Sequence, residues 1–583
     1  MRTYRSNDRR NTCMHVIGNG EVMVALRGLD IYQARGNHLA GRNCLSGTVS
    51  GDRLVESVSE RIRGRDRWQY RIRIDGSDAG SMEEYLTVDH AFVRDFTLDQ
   101  PLSFLLYPDS ETLFDPQTGV YTMPRGVFYV NDYPTDRDVC FRVYGDNVDV
   151  RSGEREITVT VQRNSRLIVR FGETPESVLE EAIGNEYNAP CPPTVPTALG
   201  ETVEDYWYVY ANYRSVNGGV ASAVEWNLAY IRDLYGASRG LLAAGFYEQA
   251  RDLLRFYQRV WTEKGFLATA QSIGTDGAMH IHECDETENP GYLILQAFDY
   301  RDATGDEAFF AELLPMLTWA LEKQVGHLYQ GMMPFSGDET YVAGGMMPRV
   351  HLEDGSCEST MLLIESGRRM QAYEQRPEIL ACIQDARHRF RENFVRDGRL
   401  MTNNPLRAQA PKPATKKGVC VYCYRYMDGL KPNRYGLYTC PDCSEKTEDL
   451  SSDKTYRLSC VEMMPAYIHS DLLTLEEQRN IYEDLARDLI ACGSISGNGA
   501  AGKCTGYEYG LLLYGLTTVE SPLRHAVYQM VLDARDEEGI WAEYYADGEP
   551  TGMRWRVWEG GVNLMALLTY EAMERRIQDE AMA

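Results

Sequence analysis

The chain has 583 residues and a formal net charge of −26, with 43% hydrophobic and 25% charged residues. This length exceeds what one hydrophobic core usually fills, and the composition excludes a disordered or fibrous chain. The charge disfavours nucleic acid and anionic membranes as partners, and no apolar run is long enough to span a bilayer. The N-terminus lacks the apolar segment of a secretory signal, so we expect a cytoplasmic protein.

The first part of the chain predicts β-strands. Short apolar and β-branched runs, such as RWQYRIRID and SRLIVRF, are separated by Gly, Asp and Asn turns. Their number and spacing favour an antiparallel β-sandwich over residues 1–190. The prolines of NAPCPPTVPT block helix and sheet hydrogen bonds, which indicates a linker over residues 191–202.

From residue 203 to 583 the apolar period becomes helical, which predicts a separate helical domain. We expect amphipathic helices that begin near residues 203, 224, 245, 288, 306, 356, 374, 456, 474, 505, 520 and 557. Helices in six hairpins after a β-sandwich favour an (α/α)6 barrel, and the lack of a fixed sequence repeat disfavours an open α-solenoid. The connections into alternate helices are long and rich in acids and aromatics, so they would form one cleft at one end of the barrel.

Four cysteines have the spacing of a metal site. Cys420 and Cys423 form one CxxC pair, and Cys440 and Cys443 form a second pair sixteen residues later. This pattern is typical of a tetrahedral zinc–thiolate site, and the intervening segment is too poor in apolar residues to fold alone. We therefore predict a structural zinc in a ribbon inserted over residues 416–447. We expect no organic cofactor and reduced thiols for the remaining cysteines.

Acids in the long connections are candidates for hydrolysis of glycosidic bonds, which needs one carboxylic acid and a second carboxylate. In GMMPFSGDETYVAGG, Asp338 and Glu339 lie between glycines and aromatic residues. Partial burial beside aromatics would raise a carboxyl pKa and suit an acid role. The alternative is a solvated loop acid.

A second candidate is Glu543 in GIWAEYYADGEPTGMRWRVWEGG, a segment that also contains the acid Glu559. Arg554 or Arg556 could bind sugar hydroxyls or hold a carboxylate in place. A structural loop that covers the last helix is an equally good interpretation. Aromatic faces can stack on sugar rings, and those of this segment belong to Trp541, Tyr544, Tyr545, Trp555 and Trp558.

A third group lies on the first half of an early helix in VEWNLAYIRDLYGASRG, namely Glu225, Trp226, Arg232 and Asp233. Of these, Asp233 is an acceptor that suits sugar hydroxyls. The alternative for Arg232 and Asp233 is a structural ion pair. Acids in a first helical turn are by default caps or partners of the helix dipole. Such acids before later helices are Asp285, Glu286, Glu288, Glu353, Asp354 and Glu358. Metal binding by His280 and His282 is a weaker hypothesis because no third ligand is evident.

With these residues in view, the C-terminal part of the chain resembles the glucoamylase-like and maltose-phosphorylase-like families of (α/α)6 carbohydrate enzymes. The segment 230–233 resembles the Trp-x-Arg-Asp motif that binds the nonreducing sugar in glucoamylases, and 334–339 resembles the loop that carries their general acid. The segment of Glu543, with the later Gly-Glu-Pro turn and Trp558, resembles the stretch that carries their general base. Residues 17–20 and the strands that follow resemble the β-sandwich of bacterial relatives.

The resemblance implies a glycoside hydrolase that cleaves α-linked glucosides or oligosaccharides with inversion, with Glu339 as general acid and Glu543 as general base. Glu353 and Glu358 remain alternatives for the acid, because the connection before the next helix is longer than glucoamylases usually have. The residues expected to contact substrate are Trp226, Arg232, Asp233, Asp285, Asp338, Glu358, Trp541, Arg554 and Trp558.

Two other functions remain open at this point. One is an inverting disaccharide phosphorylase of the same fold, in which inorganic phosphate replaces the base and its water. The other is a noncatalytic carbohydrate-binding or scaffold protein. The identity of the sugar, its linkage and the oligomeric state are not indicated by the sequence.

Overall fold

A computed structural model describes residues 4–5, 15–36, 43–62, 65–126, 137–189, 197–225, 227–274, 279–280, 286–334, 354–409, 416–419, 426–431, 455–495, 503–536 and 538–582. The N-terminal part consists of antiparallel strands, and the C-terminal part is mostly helical. The predicted order of a β part followed by an α part is confirmed.

The N-terminal strands form one antiparallel hydrogen-bonded network in the order β1-β6-β7-β8-β9-β14-β10-β5-β4-β3-β2, with β11, β12 and β13 joined beside β14. The strands are β1 (Tyr4–Arg5), β2 (His15–Gly18), β3 (Met23–Arg27), β4 (Asp30–Arg35), β5 (Leu45–Ser50), β6 (Val55–Arg61), β7 (Arg67–Ile74), β8 (Ser77–Leu86), β9 (Ala91–Leu98), β10 (Leu102–Pro108), β11 (Leu113–Asp115), β12 (Val120–Met123), β13 (Val139–Ser152) and β14 (Ile157–Gly172).

Strand β14 joins the two halves of this network. Its first part, 157–161, pairs with β10, and its second part, 165–170, pairs with β9. The antiparallel pairing is as predicted, but the strands form one continuous network where two separate sheets were expected. The division into two layers stays a prediction.

The helices after the sheet alternate between nearly fully buried and amphipathic. A short helix, α1 (Pro175–Leu179), ends the sheet region. The helices that follow are α2 (Gly200–Tyr213), α3 (Ile231–Ala243), α4 (Tyr247–Lys264), α5 (Asn289–Thr304), α6 (Glu307–Val325), α7 (Cys357–Met370), α8 (Pro377–Phe394), α9 (Ser459–Tyr467), α10 (Leu475–Cys492), α11 (Gly506–Thr518), α12 (Arg524–Asp533) and α13 (Val557–Met582).

Six of these helices form an inner ring. Helices α3, α5, α7, α9 and α11 are buried along most of their length, as is the first half of α13. Each contacts the next in chain order, and α13 returns to contact α3, so the ring is closed. Helices α4, α8 and α10 bury one face and lie outside it. Such alternation is what helices in six hairpins produce.

The connections carry short strands. These are β15 (Leu228–Tyr230), β16 (Ala270–Ser272), β17 (Met279–His280), β18 (Met333–Pro334), β19 (Gly355–Ser356), β20 (Val395–Arg396), β21 (Arg399–Leu400), β22 (Asn403–Asn404), β23 (Lys416–Val419), β24 (Tyr426–Leu430), β25 (Lys503–Thr505), β26 (Tyr544–Ala546) and β27 (Glu549–Thr551). A 3-10 helix spans Pro405–Gln409.

The sheet packs on the helical part through α2. The backbone N–H of Gly18 donates to Asn212 Oδ1 at 2.7 Å, and Arg61 forms an ion pair with Asp205 at 2.6 Å. Both contacts join the sheet to α2. The predicted domain limits at 1–190, 191–202 and 203–583 stay predictions, since most of the proline-rich segment lies outside the described residues.

Two further findings concern membranes and thiols. No helix in the described ranges is long and apolar enough to cross a membrane. The cysteines within those ranges carry free thiols. They are Cys44, Cys140, Cys357, Cys382, Cys460, Cys492 and Cys504.

Candidate active site

The connections between helices are long at one end of the ring and short at the other. The short ones lead from an inner to an outer helix and span 244–246, 305–306, 371–376, 468–474 and 519–523. The long ones lead into the inner helices and span 214–230, 265–288, 326–356, 395–458, 493–505 and 534–556. The long connections therefore gather at the N-termini of the inner helices, which is the end predicted to carry the cleft.

Every inner helix has a buried acid at its cap or in its first turn. The acids are Asp233, Glu288, Glu358, Glu462, Glu508 and Glu559. The positive end of a helix dipole favours such acids, so this feature alone indicates structure. Two of them are structural by their contacts, because Glu508 closes a capping box with Thr505 and Glu462 accepts two hydrogen bonds from Arg399.

Arg556 lies close to three carboxyl groups at this end of the ring. Its Nη2 lies 3.4 Å from Asp233 Oδ2, its Nη1 lies 3.3 Å from Glu543 Oε1, and its Nε lies 3.0 Å from Glu559 Oε2. We call Arg556, Asp233, Glu543 and Glu559 the Arg556 cluster. Its members come from α3, α13 and the 534–556 connection, so the cluster forms only when the first and last inner helices meet.

The members of this cluster differ in solvent access. The Glu543 side chain is 17% exposed, whereas those of Asp233 and Glu559 are 5% and 1% exposed. Burial raises the pKa of Glu559, Arg556 lowers it, and the charges of Glu543 and Asp233 raise it, with a net pKa of about 7. Glu559 is therefore the acid that holds a proton near neutral pH, and Glu543 is the one that meets solvent.

Backbone hydrogen bonds fix Glu543 between two inner helices. Its N–H donates to the carbonyl of Met553 at 2.8 Å, and its carbonyl accepts from the N–H of Gly506 at 2.8 Å, at the start of α11. A Cβ atom at Gly506 would lie 1.9 Å from the Ala542 carbonyl oxygen, so only glycine allows this approach. The Glu543 position is thus set by main chain, which suits a group that must be held in place.

A small cavity lies between the same helix ends, with a volume of about 10 Å³, which is room for about one water molecule. The rings of Tyr507 and Trp558 stack at 4.3 Å, and the Arg232 guanidinium lies 5.3 Å from the Trp558 ring. The phenolic oxygens of Tyr467 and Tyr507 have no hydrogen-bond partner among the described residues. The lining residues are Arg232, Tyr292, Met464, Tyr467, Tyr507, Leu511 and Trp558. Aromatic walls with buried hydroxyls are of the kind that binds sugars, although the cavity in this structure is smaller than a sugar ring.

Two acids predicted from the sequence lie against this cavity's lining residues. Glu288 accepts from Arg232 Nη1 at 3.2 Å, and Glu358 accepts from the Tyr292 hydroxyl at 2.6 Å. Both carboxyl groups are fully buried. The structure thus brings Arg232, Asp233, Glu358, Glu543 and Trp558 to one end of the ring.

Two residues predicted to contact substrate, Trp541 and Arg554, make contacts within the protein, and their role in binding stays a prediction. Trp541 is 1% exposed and its Nε1 donates to the Val531 carbonyl at 2.8 Å. Arg554 is fully buried and pairs with Asp536 at 2.8 Å. Both side chains are buried, and these contacts hold them in place within the 534–556 connection. Arg556, which the sequence offered as the alternative to Arg554, is the arginine that reaches Glu543.

The other predicted site residues lie outside the described residues. They are Trp226, Asp285, Asp338, Glu339, Glu353, Cys420, Cys423, Cys440 and Cys443. No group of three or more potential metal ligands occurs among the residues that are described. Sequence reasoning missed Tyr292, Tyr467 and Tyr507, because 38 tyrosines occur in the chain and no local motif distinguishes these three.

No protein-family model and no curated protein matches the sequence. Among solved structures, a bacterial glucoamylase complexed with acarbose is similar at a TM-score of 0.54 with 8% identity, and the match covers 97% of this chain and 94% of that one. A rhamnosidase from Klebsiella oxytoca with rhamnose bound matches at a TM-score of 0.44 with 12% identity, over 89% of this chain and 95% of that one. The coverage of the first match includes both the sheet and the helical ring. The chain therefore has the fold of the glucoamylase-like, six-hairpin glycosidases.

Proposed function

We propose that this protein is an inverting glycoside hydrolase that acts on α-linked glucosides or oligosaccharides, with Glu543 as general base. The observation that carries the proposal is the position of Glu543, held by main chain and by Arg556 at the end of the ring where the small aromatic cavity lies. A base needs a carboxylate with access to water, and Glu543 is the accessible member of the Arg556 cluster.

We assign the general acid to the connection between α6 and α7. Strands β18 and β19 pair antiparallel, with Met333 opposite Ser356, so this connection leaves and returns beside the start of α7. Glu339, the proposed acid, belongs to the connection. Glu353, which directly precedes the buried Asp354, and Glu358, in the first turn of α7, are the alternatives.

In the proposed reaction Glu339 protonates the glycosidic oxygen, and Glu543 takes a proton from a water that attacks the anomeric carbon on the opposite face. Inversion requires room for this water, so the two carboxyl groups should lie about 6.5–9.5 Å apart, against about 5 Å for a retaining enzyme. Arg232 and Asp233 would bind hydroxyls of the nonreducing sugar beside the stacked rings of Tyr507 and Trp558.

The charge of the cluster favours water over phosphate as the attacking group. Arg556 already faces three carboxyl groups, so a phosphate placed beside Glu543 would meet net negative charge. The phosphorylase alternative needs free positive charge at that position. We therefore favour hydrolysis.

The test is to incubate the purified full chain with a panel of α- and β-linked oligosaccharides, with and without inorganic phosphate, and to follow the released anomer by proton NMR. We expect release of β-glucose from an α-glucoside without phosphate. Release of the α anomer would exclude inversion, and turnover only with phosphate would assign the chain to the phosphorylases. No turnover of any glycoside would favour the noncatalytic binding protein.

We also propose that Cys420, Cys423, Cys440 and Cys443 bind one structural zinc ion. Strands β23 and β24 pair antiparallel on either side of the first CxxC pair, which is how a hairpin presents two thiolates to a metal. Zinc would supply the folding free energy of this insertion.

The zinc proposal predicts that Cys420→Ser lowers the zinc content of the purified protein from about one ion per chain to nearly none, since three ligands bind structural zinc poorly. Elemental analysis of the dialysed protein measures this. Cys382 and Cys492 are exposed cysteines elsewhere, and their replacement by Ser should leave the zinc content unchanged. Equal zinc content in all three variants would disprove the site.

A further inference from the structure

Trp555 has an unusual backbone conformation directly before Arg556. Its φ is +55°, and its side chain is 1% exposed. The other described non-glycine residues with positive φ are Asp, Asn, His, Gln and Glu. Asn, Asp and His are the types that tolerate this region best, whereas for a bulky residue it is a real outlier. Such a conformation costs about 1–3 kcal/mol and persists only when its surroundings hold it.

The surroundings of Trp555 include the N-terminal sheet. Its Nε1 donates to Glu538 Oε2 at 2.8 Å, and its ring centroid lies 6.1 Å from that of Trp68 in β7. His15 of β2 stacks on Trp68 at 3.9 Å and places its Nδ1 4.0 Å from Glu538 Oε1. Two sheet residues therefore contact the two side chains that hold the strained backbone.

The sheet side of this contact is itself fixed by buried charges. His15 Nε2 lies 3.0 Å from Glu84 Oε1, and Arg94 Nε lies 3.0 Å from Glu84 Oε2. The Tyr70 hydroxyl also donates to Glu84. All four side chains are buried, and a buried network whose members are paired resists displacement.

A second contact reaches the 534–556 connection near Gly539 from α2, which is itself paired with the sheet. This glycine has a φ of +81°, and a Cβ atom there would lie 2.2 Å from Asp205 Oδ2. Asp205 in turn pairs with Arg61 of β6. The connection thus lies against α2 at Gly539 and against the sheet at Trp555, on either side of Glu543.

We propose that the N-terminal sheet positions the catalytic base, because Trp68 and His15 hold Glu538 and Trp555 and thereby place Arg556 beside Glu543. The proposal rests on the proposed function of Glu543. His15, Trp68, Glu538 and Trp555 are positioning residues, since none of them contacts Glu543. The sheet thus has a role in the reaction in addition to its contribution to stability.

The test compares Trp68→Leu with Phe141→Leu in the full chain. Phe141 is an equally buried aromatic of the same sheet, and its ring contacts are to Tyr121 and Phe171. We expect Trp68→Leu to lower kcat at least about tenfold with little change in KM, since a small displacement of a reacting group has effects of this size. Phe141→Leu should lose similar stability but keep its kcat. An equal loss of kcat in both variants would overturn the proposal.

A second comparison distinguishes positioning from folding. Glu538→Gln keeps an acceptor for the Trp555 N–H and should retain kcat, whereas Glu538→Ala should lose it. Hydrogen exchange of the 534–556 backbone should become faster in Trp68→Leu and Glu538→Ala but not in Phe141→Leu. Hydrogen exchange needs no substrate. If the wild-type chain hydrolyses no glycoside, the proposed function fails, but the exchange rates still show whether the sheet holds the 534–556 connection. Unchanged exchange in Trp68→Leu would show that the sheet does not hold this connection.

Discussion

Replacing Glu543 by Gln is expected to lower kcat for hydrolysis by about a thousandfold, since removal of a general base typically has effects of 10²–10⁴. The amide keeps the shape of the side chain and can still accept from Met553 N–H and Arg556, but it cannot take a proton from water. KM should change little, because the residues that line the cavity are untouched. Initial rates on an α-linked oligosaccharide measure both constants.

Glu549→Gln is the matched control, because Glu549 is an exposed acid in β27 of the same connection. It should hydrolyse at the wild-type rate. Activity of Glu543→Gln within about tenfold of wild type would remove Glu543 from the reaction and leave Glu559 as the acid to test. Azide, an anionic nucleophile that needs no base, should attack the anomeric carbon in place of water and partly restore cleavage by Glu543→Gln. The expected product is the β-glycosyl azide, which has the same inverted configuration as the wild-type product.

Helix boundaries were predictable where a local signal sets them. The helices expected near 474 and 505 begin at Leu475 and Gly506, because Thr474 and Thr505 close capping boxes with acids three residues later. The helix expected near 224 begins instead at Ile231. Residues 228–230 form β15, which pairs with β16 some forty residues away, and no local pattern indicates such a partner.

In the sheet, by contrast, residue types that favour turns were misleading. Gly145 and Asn147 are of types that favour turns, yet both lie within the single strand β13. The register between β13 and β14 shifts between Asp146 and Val148, where residues 162–165 of β14 lie opposite Asn147. Because a bulge and a turn use the same residue types, the sequence alone does not distinguish one bent network from two sheets.

Part of the site was predictable because its residues fall near the starts of helices, even where the expected start, as for α3, was too early. Arg232, Asp233 and Trp558 lie in the first turns of inner helices, which the ring necessarily brings together. The choice between Arg554 and Arg556 was not predictable, since the two alternate along the chain and the backbone of Trp555 decides which one turns toward Asp233. The chemistry of Glu543 therefore depends on a conformation that no sequence pattern reports.

Replacing Arg556 by Met is expected to destabilise the protein by about 3–5 kcal/mol at pH 7.5, because the change leaves three carboxyl groups around a buried site without their cation. Urea unfolding at a series of pH values measures the free energy of unfolding. Arg391→Met is the control, since Arg391 pairs with Glu477 at the surface, where such a pair contributes little.

The pH dependence of the destabilisation distinguishes the loss of the Arg556 charge from the loss of its packing. Glu559 has a folded-state pKa raised from 4.5 to about 7, so the folded state binds its proton more tightly than the unfolded state. Its contribution to stability is therefore fully present below about pH 4.5 and is lost as the pH rises through about 7. Without Arg556 the pKa of Glu559 should rise further, because Arg556 lowers it, so the destabilisation should be small at pH 5 and large at pH 8.

A second change identifies which carboxyl group is responsible. Adding Glu559→Gln to Arg556→Met removes one of the three charges and should restore part of the lost stability at pH 8, with little effect at pH 5. A loss that is the same at both pH values and is not relieved by Glu559→Gln would mean that Arg556 acts by filling space. Glu543 would then be held in position by the main chain alone. The N-terminal sheet could then act on Glu543 only through the backbone of Met553, which is the remaining contact.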